Sequence, residues 1–135
     1  MDSASMALRA FPNVPVNKFF RYTLVSRSSE ETVIQMEVRE GFLQEEGLVQ
    51  GGILSAIADT AAVYTFYPDL QADVKMTSIE FKVNFLRPAL PGAGPLVAKA
   101  KVVQRGRKVG LCDVEVSQSE AVVLKGLFTY MFYER

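Results

Sequence analysis

The sequence predicts an α+β fold in which an antiparallel six-stranded sheet curls around one central helix, in the order β-β-α-β-β-β-β. Three observations predict it. Residues 51–67, GGILSAIADTAAVYTFY, carry apolar side chains on nearly every helical face (Ile53, Leu54, Ile57, Ala61, Ala62, Tyr64), the pattern of a helix wrapped by other structure. Runs rich in β-branched and aromatic residues flank that helix, two before it and four after. Pro and Gly fall at short junctions, and neither a repeat nor a low-complexity stretch interrupts the chain, so the elements are expected to share one core in a single domain over residues 1–135.

The elements follow in order. Residues 19–26 (FFRYTLVS) and 32–39 (TVIQMEVR) read as a hairpin closed by the polar turn Arg27 to Glu31, and the residues before 19 leave length for a short N-terminal helix. The loop Glu40 to Gln50 leads into the helix. Thr77, Ile79, Phe81, Val83 and Phe85 then alternate with Ser78, Glu80, Lys82 and Asn84, which predicts a strand with one buried and one polar face, ended by Pro88 and Pro91. Strands at about 95–104, 108–117 and 121–133 follow, joined by the turns Arg105 to Arg107 and Gln118 to Glu120. Concave strand faces would lay their apolar side chains on the helix. A sheet curved this way leaves an edge strand and a rim uncovered, which pairing with a second copy would protect.

Composition excludes several classes of function. Lys plus Arg and Asp plus Glu are 15 each, so no net field draws nucleic acid or an anionic membrane. No apolar run approaches the roughly 20 residues of a membrane span. Cys112 is the one cysteine and has no internal partner, and MDSASMALRAF lacks the long apolar core of a signal peptide, so a reducing cytoplasm is the expected compartment. Histidine is absent. That removes Ser-His-Asp and Cys-His nucleophiles, His-ligated zinc and a His general base, and leaves a carboxylate as the natural base of any hydrolysis.

One carboxylate stands out. Asp59 is the sole charged residue between Gly51 and Tyr67. Burying an unpaired carboxylate costs several kcal/mol or forces it to take a proton. Such a helix therefore has a fixed partner for the acid or a use for it. Gly51 and Gly52 sit where the first helical N–H groups lack partners and the helix dipole is positive, a place that would stabilise a carbonyl oxygen gaining negative charge. Glycines there let a ligand approach the backbone. At about 1.5 Å rise per residue, Gly51 and Asp59 are roughly 12 Å apart along the axis and cannot both reach one carbonyl carbon. If both act on one substrate, Gly51 of one subunit faces Asp59 of another, and the site lies at a dimer interface.

Gln44-x5-Gln50-Gly51-Gly52-x6-Asp59, followed by Ser78-Ile79-Glu80-Phe81-x3-Phe85-Leu86-Arg87-Pro88-Ala89, resembles the hotdog-fold acyl-CoA thioesterases of the phenylacetyl-CoA thioesterase and thioesterase superfamily member 2 type. The resemblance extends from about Phe19 to Phe132. It implies hydrolysis of a thioester to free acid and coenzyme A, without metal or redox cofactor, coenzyme A being part of the substrate. It also implies a homo-oligomer, a dimer at least, with dimer-of-dimers tetramers common.

Residue by residue, the resemblance gives Gly51 the N–H that polarises the thioester carbonyl and Asp59 the part of general base or nucleophile. Gln44 falls where the family has an Asn or Gln near the thioester and its attacking water. Ser78 corresponds to a hydroxyl that helps hold that water, with Thr77 as a rival, since strand alternation places Thr77 on the helix-facing side and Ser78 on the polar side. Gln50 departs from the family's more frequent histidine: its amide can shape the loop but cannot titrate near neutral pH. Gln44 and Gln50 read equally well as loop amides capping backbone groups. Arg105-Gly106-Arg107-Lys108 forms a basic turn, with Arg87, Lys99 and Lys101 expected nearby. In the family this region, with Gly52 at the helix start, serves coenzyme A binding, and arginine suits phosphate recognition. Tyr64, Phe66 and Tyr67 read either as core or as lining of an acyl pocket. A non-catalytic acyl-CoA binding module on the same fold is the alternative, motivated by Gln50. A hotdog dehydratase or hydratase is disfavoured because those relatives rely on a histidine.

Overall fold

The computed structural model describes residues 2–134. The N-terminal segment forms two short helices, α1 (Ser3–Ala10) and α2 (Pro15–Phe20). Asp2 caps α1 by accepting from the Ser5 N–H at 2.8 Å. The expected first strand therefore begins later than residue 19: Phe19 and Phe20 end α2 instead. Local β propensity loses here because Pro15 opens a helical turn and Arg21 closes it in the left-handed region at φ 57°. Asn17, buried, anchors the segment by donating from Nδ2 to the Phe11 carbonyl at 3.0 Å and to the Tyr64 hydroxyl at 3.3 Å.

Strands β1 (Thr23–Arg27) and β2 (Glu31–Met36) form the predicted hairpin. The central helix α3 (Gly51–Phe66) follows, then β3 (Val74–Phe85), β4 (Leu96–Arg105), β5 (Val109–Gln118) and β6 (Ala121–Glu134). All six strands form one antiparallel sheet in the order β1-β2-β4-β5-β6-β3. The helix connection thus carries the chain from β2 to the far edge, leaving β3 paired on one side only.

Leu54, Ile57, Ala58, Ala61 and Ala62 of α3 pack on Ile34, Leu96, Ala98, Ala100, Val114, Val116, Leu124 and Phe128 of the sheet. Alanines on both surfaces let the helix settle close to β4, and the burial of this set dominates the stabilising free energy. Among the described residues no helix is long and apolar enough to cross a membrane.

β3 departs from strict alternation. Ser78 pairs with Tyr130 and Glu80 with Thr129, so Ile79 is an extra residue in a β-bulge. Directly opposed residues share a sheet face. Ser78 therefore lies with buried Tyr130 on the helix-facing side, and Thr77, opposite Met131, lies on the outer side. Simple alternation predicts the reverse; the bulge inverts the parity between Ser78 and Phe81. Beyond it, Phe81, Val83 and Phe85 keep the expected side of the strand, but the chain does not bury that side as predicted: Phe81 and Phe85 are 46% and 54% exposed, because β3 is an edge strand.

β3 is held tightly to β6. A Cβ at Gly126 would lie 2.5 Å from the Lys82 carbonyl oxygen and 2.6 Å from Val83 Cγ1. Because one of those neighbours is backbone, Gly126→Ala must push β3 off β6. The variant is expected to lose about 2 kcal/mol or more in urea unfolding; a midpoint equal to the native protein's would refute the close approach.

Candidate active site

α3 begins at Gln50, its N-cap, with φ −61° and ψ 138° and no side-chain capping bond. The Ile53 N–H donates to the Gln50 carbonyl at 3.0 Å, and among the described residues the Gly51 and Gly52 N–H groups have no acceptor. They are free donors at the positive end of the helix dipole. A Cβ on Gly51 would lie 3.1 Å from Cζ of Phe85, so that β3 ring roofs the helix start. A Cβ on Gly52 would lie 2.9 Å from Oε1 of Gln50, whose side chain folds back over the second glycine. Both glycines thus sit where something else comes close.

Gln44 is engaged locally. Its Oε1 accepts from the Glu46 N–H at 2.5 Å and the Leu48 N–H at 3.4 Å, fastening the turn that Gly47 completes at φ 77°. The capping alternative describes this side chain, with its amide N–H groups left for another acceptor. Gln50 caps nothing.

Asp59 lies two turns along the helix. Its Oδ1 accepts the Tyr130 hydroxyl at 2.6 Å, and the Asp59 backbone carbonyl lies 3.2 Å from the same hydroxyl. Burial raises the carboxyl pKa above its ordinary value, and the Tyr130 hydrogen bond lowers it in part. Tyr130, 1% exposed, is itself raised well above the ordinary phenol, by burial first and then by the negative charge of Asp59. Ser78 is the cross-strand neighbour of Tyr130, so Tyr130 stands next to Ser78 in the sheet and holds Asp59 through its hydroxyl. Sequence reasoning missed Tyr130. Its signal is indirect: an acid on a wrapped helix needs a donor, and β6 offers a tyrosine on the face turned to that helix.

The chain brings together Gln50, Gly51 and Gly52 at the helix start, sets Asp59 at its middle against Tyr130, whose cross-strand neighbour is Ser78, and keeps these two groups apart. Between them runs a stripe of partly or fully exposed residues: Gly52, Ser55, Ala56, Asp59, Thr60, Val63 and Tyr67. Beside it lies β3, whose Ile79, Phe81 and Phe85 are 52%, 46% and 54% exposed. A cavity of about 490 Å³ is lined by Val63 of α3, by Tyr67, and by both faces of the β3–β6 pair: Met76, Ser78 and Tyr130 from the helix-facing side, Lys75, Thr77 and Tyr133 from the other. Tyr67 therefore lines a cavity, whereas Phe66 is core and Tyr64 is buried against Phe11.

The basic residues separate. Arg105 donates to the Thr65 carbonyl at 2.8 Å and to the Ser29 carbonyl, lies 3.8 Å from Asp69 Oδ2, and stands 5.0 Å from the Phe66 ring centroid. It fastens the C-terminal end of α3. Gly106 closes the turn through its N–H to the Val109 carbonyl at 2.9 Å. Arg107 and Lys108 border a groove of about 710 Å³ with Val109, Met131 and Tyr133, and among the described residues neither side chain has an ion pair. Arg87 does not lie near them: it donates to the Val122 carbonyl at 2.9 Å, at the opposite end of β6. Lys99 and Lys101 also point elsewhere, standing opposite Glu115 and Asp113 on the outer sheet face. Strand direction explains the first correction, since turns at opposite ends of one sheet cannot converge, and strand alternation the second, since Ala98 and Ala100 take the inner face.

Among the described residues no three Cys, Asp or Glu side chains gather as metal ligands. Cys112 is buried beside Thr65 at 2.9 Å, with its thiol pushed up to about 11 by burial.

A sequence profile of the Thioesterase superfamily matches residues 46–125, the stretch that holds α3, Asp59, Ser78 and the basic turn. An inferred esterase of Halobacterium salinarum is 39% identical over 74 residues, 53% of this chain and 46% of its own length, so the match spans about half of that relative. Among solved structures, the PaaI protein of the Escherichia coli phenylacetic acid degradation operon superposes with a TM-score of 0.85 at 24% identity, covering 96% of this chain and 92% of that one. A thioesterase family protein from Silicibacter pomeroyi gives 0.86 at 21% identity, covering 98% and 99%. At such identities the superpositions establish the hotdog fold, and the profile match establishes the lineage. A free glycine pair at the start of a wrapped helix, an acid in its middle and a matching profile across both lead to one conclusion: this chain belongs to the thioesterase superfamily.

Proposed function

We propose that the protein is an acyl-CoA thioesterase whose site is completed between two copies of the chain. The observation that carries this reading is Asp59, a carboxylate raised by burial and held by one donor on a stripe of helix that the chain itself leaves open. The uncovered stripe and the singly paired, apolar β3 support a second copy as its cover. In the paired molecule the free N–H groups of Gly51 and Gly52 of one subunit face the thioester carbonyl, and Asp59 of the other approaches from across it.

Asp59 then acts as general base. It takes a proton from water as the water oxygen bonds to the carbonyl carbon. The carbonyl oxygen takes up negative charge against the Gly51 N–H. Collapse of this intermediate expels the thiolate of coenzyme A, which takes the proton Asp59 had accepted, restoring the base and leaving the free acid. Ser78, on the helix-facing side beside Tyr130, is suited to hold the water, and Thr77 on the outer face is less so. Arg107 and Lys108 are the cations available for phosphate, because Arg105 is spent on α3. The cytoplasm is the compartment proposed for this chemistry.

A thiol-release screen over short, aromatic and long acyl esters of coenzyme A tests the reading. Release of free thiol from at least one ester is expected. Binding without release from any would favour the non-catalytic acyl-CoA module, for which Gln50 in the family's histidine position is the motive. Dilution tests the shared site: specific activity should fall as the dimer dissociates, and full activity in a monomer would exclude it.

A further inference from the structure

The hydroxyl of Tyr130 is the sole side-chain partner that the described residues give Asp59, and β6 is shaped to bring it there. Tyr130 lies between Gly110 of β5 and Ser78 of β3 in the sheet, a residue without a side chain on one flank and a small one on the other. Ring space is taken up behind it by Phe66, at 6.0 Å between centroids, and by Phe132 against Phe66 at 5.4 Å. A Cβ at Gly110 would lie 2.7 Å from the Phe132 ring and 2.8 Å from that of Phe66. The tyrosine is thus wedged in one orientation, with its oxygen delivered to the helix.

We propose that Tyr130 is a positioning residue: its single hydroxyl proton is committed to Asp59 Oδ1, which fixes the carboxylate rotamer and leaves Oδ2 as the basic oxygen presented to water. This rests on the reading of Asp59 as general base. A phenol has one proton, so the 2.6 Å contact to the carboxylate takes it, and the 3.2 Å approach to the Asp59 carbonyl is a weak second branch. The donor is permanent because burial first, and then the same charge that accepts the proton, keep the phenol from losing it. Other titratable groups turn toward this pair from the surrounding elements. Tyr22, before β1, feels the Asp59 charge and is held neutral by burial, and Cys112 of β5 faces Tyr130 with its thiol protonated near neutral pH. Neither supplies a positive charge. Removing the phenol hydrogen bond therefore leaves burial unopposed, and Asp59 needs a higher pH to ionise.

The test is the pH dependence of kcat/KM with hexanoyl-coenzyme A, or with whichever panel ester is cleaved faster, followed by loss of thioester absorbance. In Tyr130→Phe the acid limb is expected to move upward by about one pH unit, a tenfold loss below that limb that recovers above it. A fluorinated tyrosine at position 130, a stronger donor of unchanged shape, is expected to move the limb the other way. Phe128→Leu, which disturbs core packing on the same strand, should scale the whole profile without moving the limb. A limb unmoved by both changes at 130 overturns the proposal, and if Tyr130→Phe fails to fold the fluorinated protein decides alone. Asp59→Asn separates this from the underlying reading: an active Asp59→Asn protein removes the base itself, whereas an inactive one with an unmoved limb at 130 refutes only the role of Tyr130.

Discussion

Asp59→Asn is expected to lower turnover by about 10²- to 10⁴-fold, the contribution of a positioned general base, while the protein keeps its fold and its oligomeric state. An asparagine oxygen can still accept the Tyr130 hydroxyl, so the hydrogen bond at this position survives and only the basicity is lost. The effect on stability has the opposite sign. Burial raises the Asp59 pKa in the folded state. Its stabilising contribution is therefore complete below the unfolded value and is lost as pH rises through the folded one. Above that point the native protein carries a poorly solvated charge that asparagine lacks. The variant should melt at least as high as the native protein at neutral pH, and the difference should shrink in acid. Thiol release and thermal melting at two pH values measure both halves. Native turnover in the variant would remove Asp59 from the mechanism, and a collapsed melting curve would make it a structural residue.

The largest loss of stability is expected from Arg27→Ala. The helix α3 ends in carbonyls that need donors, and the guanidinium of Arg27 supplies them: Nε to the Tyr64 carbonyl at 2.7 Å and Nη2 to the Thr65 carbonyl at 3.1 Å. The same group grips Asp69 through both oxygens, at 3.1 and 2.8 Å, and its side chain is 7% exposed. Truncation leaves the Tyr64 carbonyl without its side-chain donor and the Thr65 carbonyl and Asp69 to Arg105, whose contact with Asp69 is longer, a cost of about 3 kcal/mol or about 10 °C in Tm. Arg27→Lys keeps the charge but not the fork, and should recover only part of that loss. The pH dependence follows from Asp69, whose carboxyl is held below its ordinary value chiefly by the Arg27 hydrogen bond. Its contribution is present above the unfolded value and lost as pH falls through the depressed folded one. The gap between native and Arg27→Ala proteins should therefore narrow in acid. A Tm unchanged within about 2 °C would refute the capping role.

These two residues differ in how far they were legible before the fold was known. Asp59 could be singled out from one line of sequence, because a lone charge in an all-round apolar helix violates a local pattern. Arg27 could not. It reads as one more polar residue of a hairpin turn, and only the closing of β1 beneath the end of α3 makes it a helix cap. Arg105 repeats the lesson: a basic turn invites phosphate, yet its first arginine is drawn inward by carbonyls from another element.

What the chain's own pattern determined was whatever depends on near neighbours: the central helix, six strands in their order, the glycine pair at the helix start and the acid eight positions on. Such features follow from period and propensity, which act over a few residues. Tertiary structure alone decided the rest. The bulge at Ile79 turned Ser78 inward and Thr77 outward, the pairing of β3 with β6 set Tyr130 against Asp59, and strand direction sent Arg87 and the Arg105 turn to opposite ends. The physical reason is common to all three: register and polar contact between distant segments are settled when the sheet closes on the helix, where a shift of one residue exchanges the two faces of a strand.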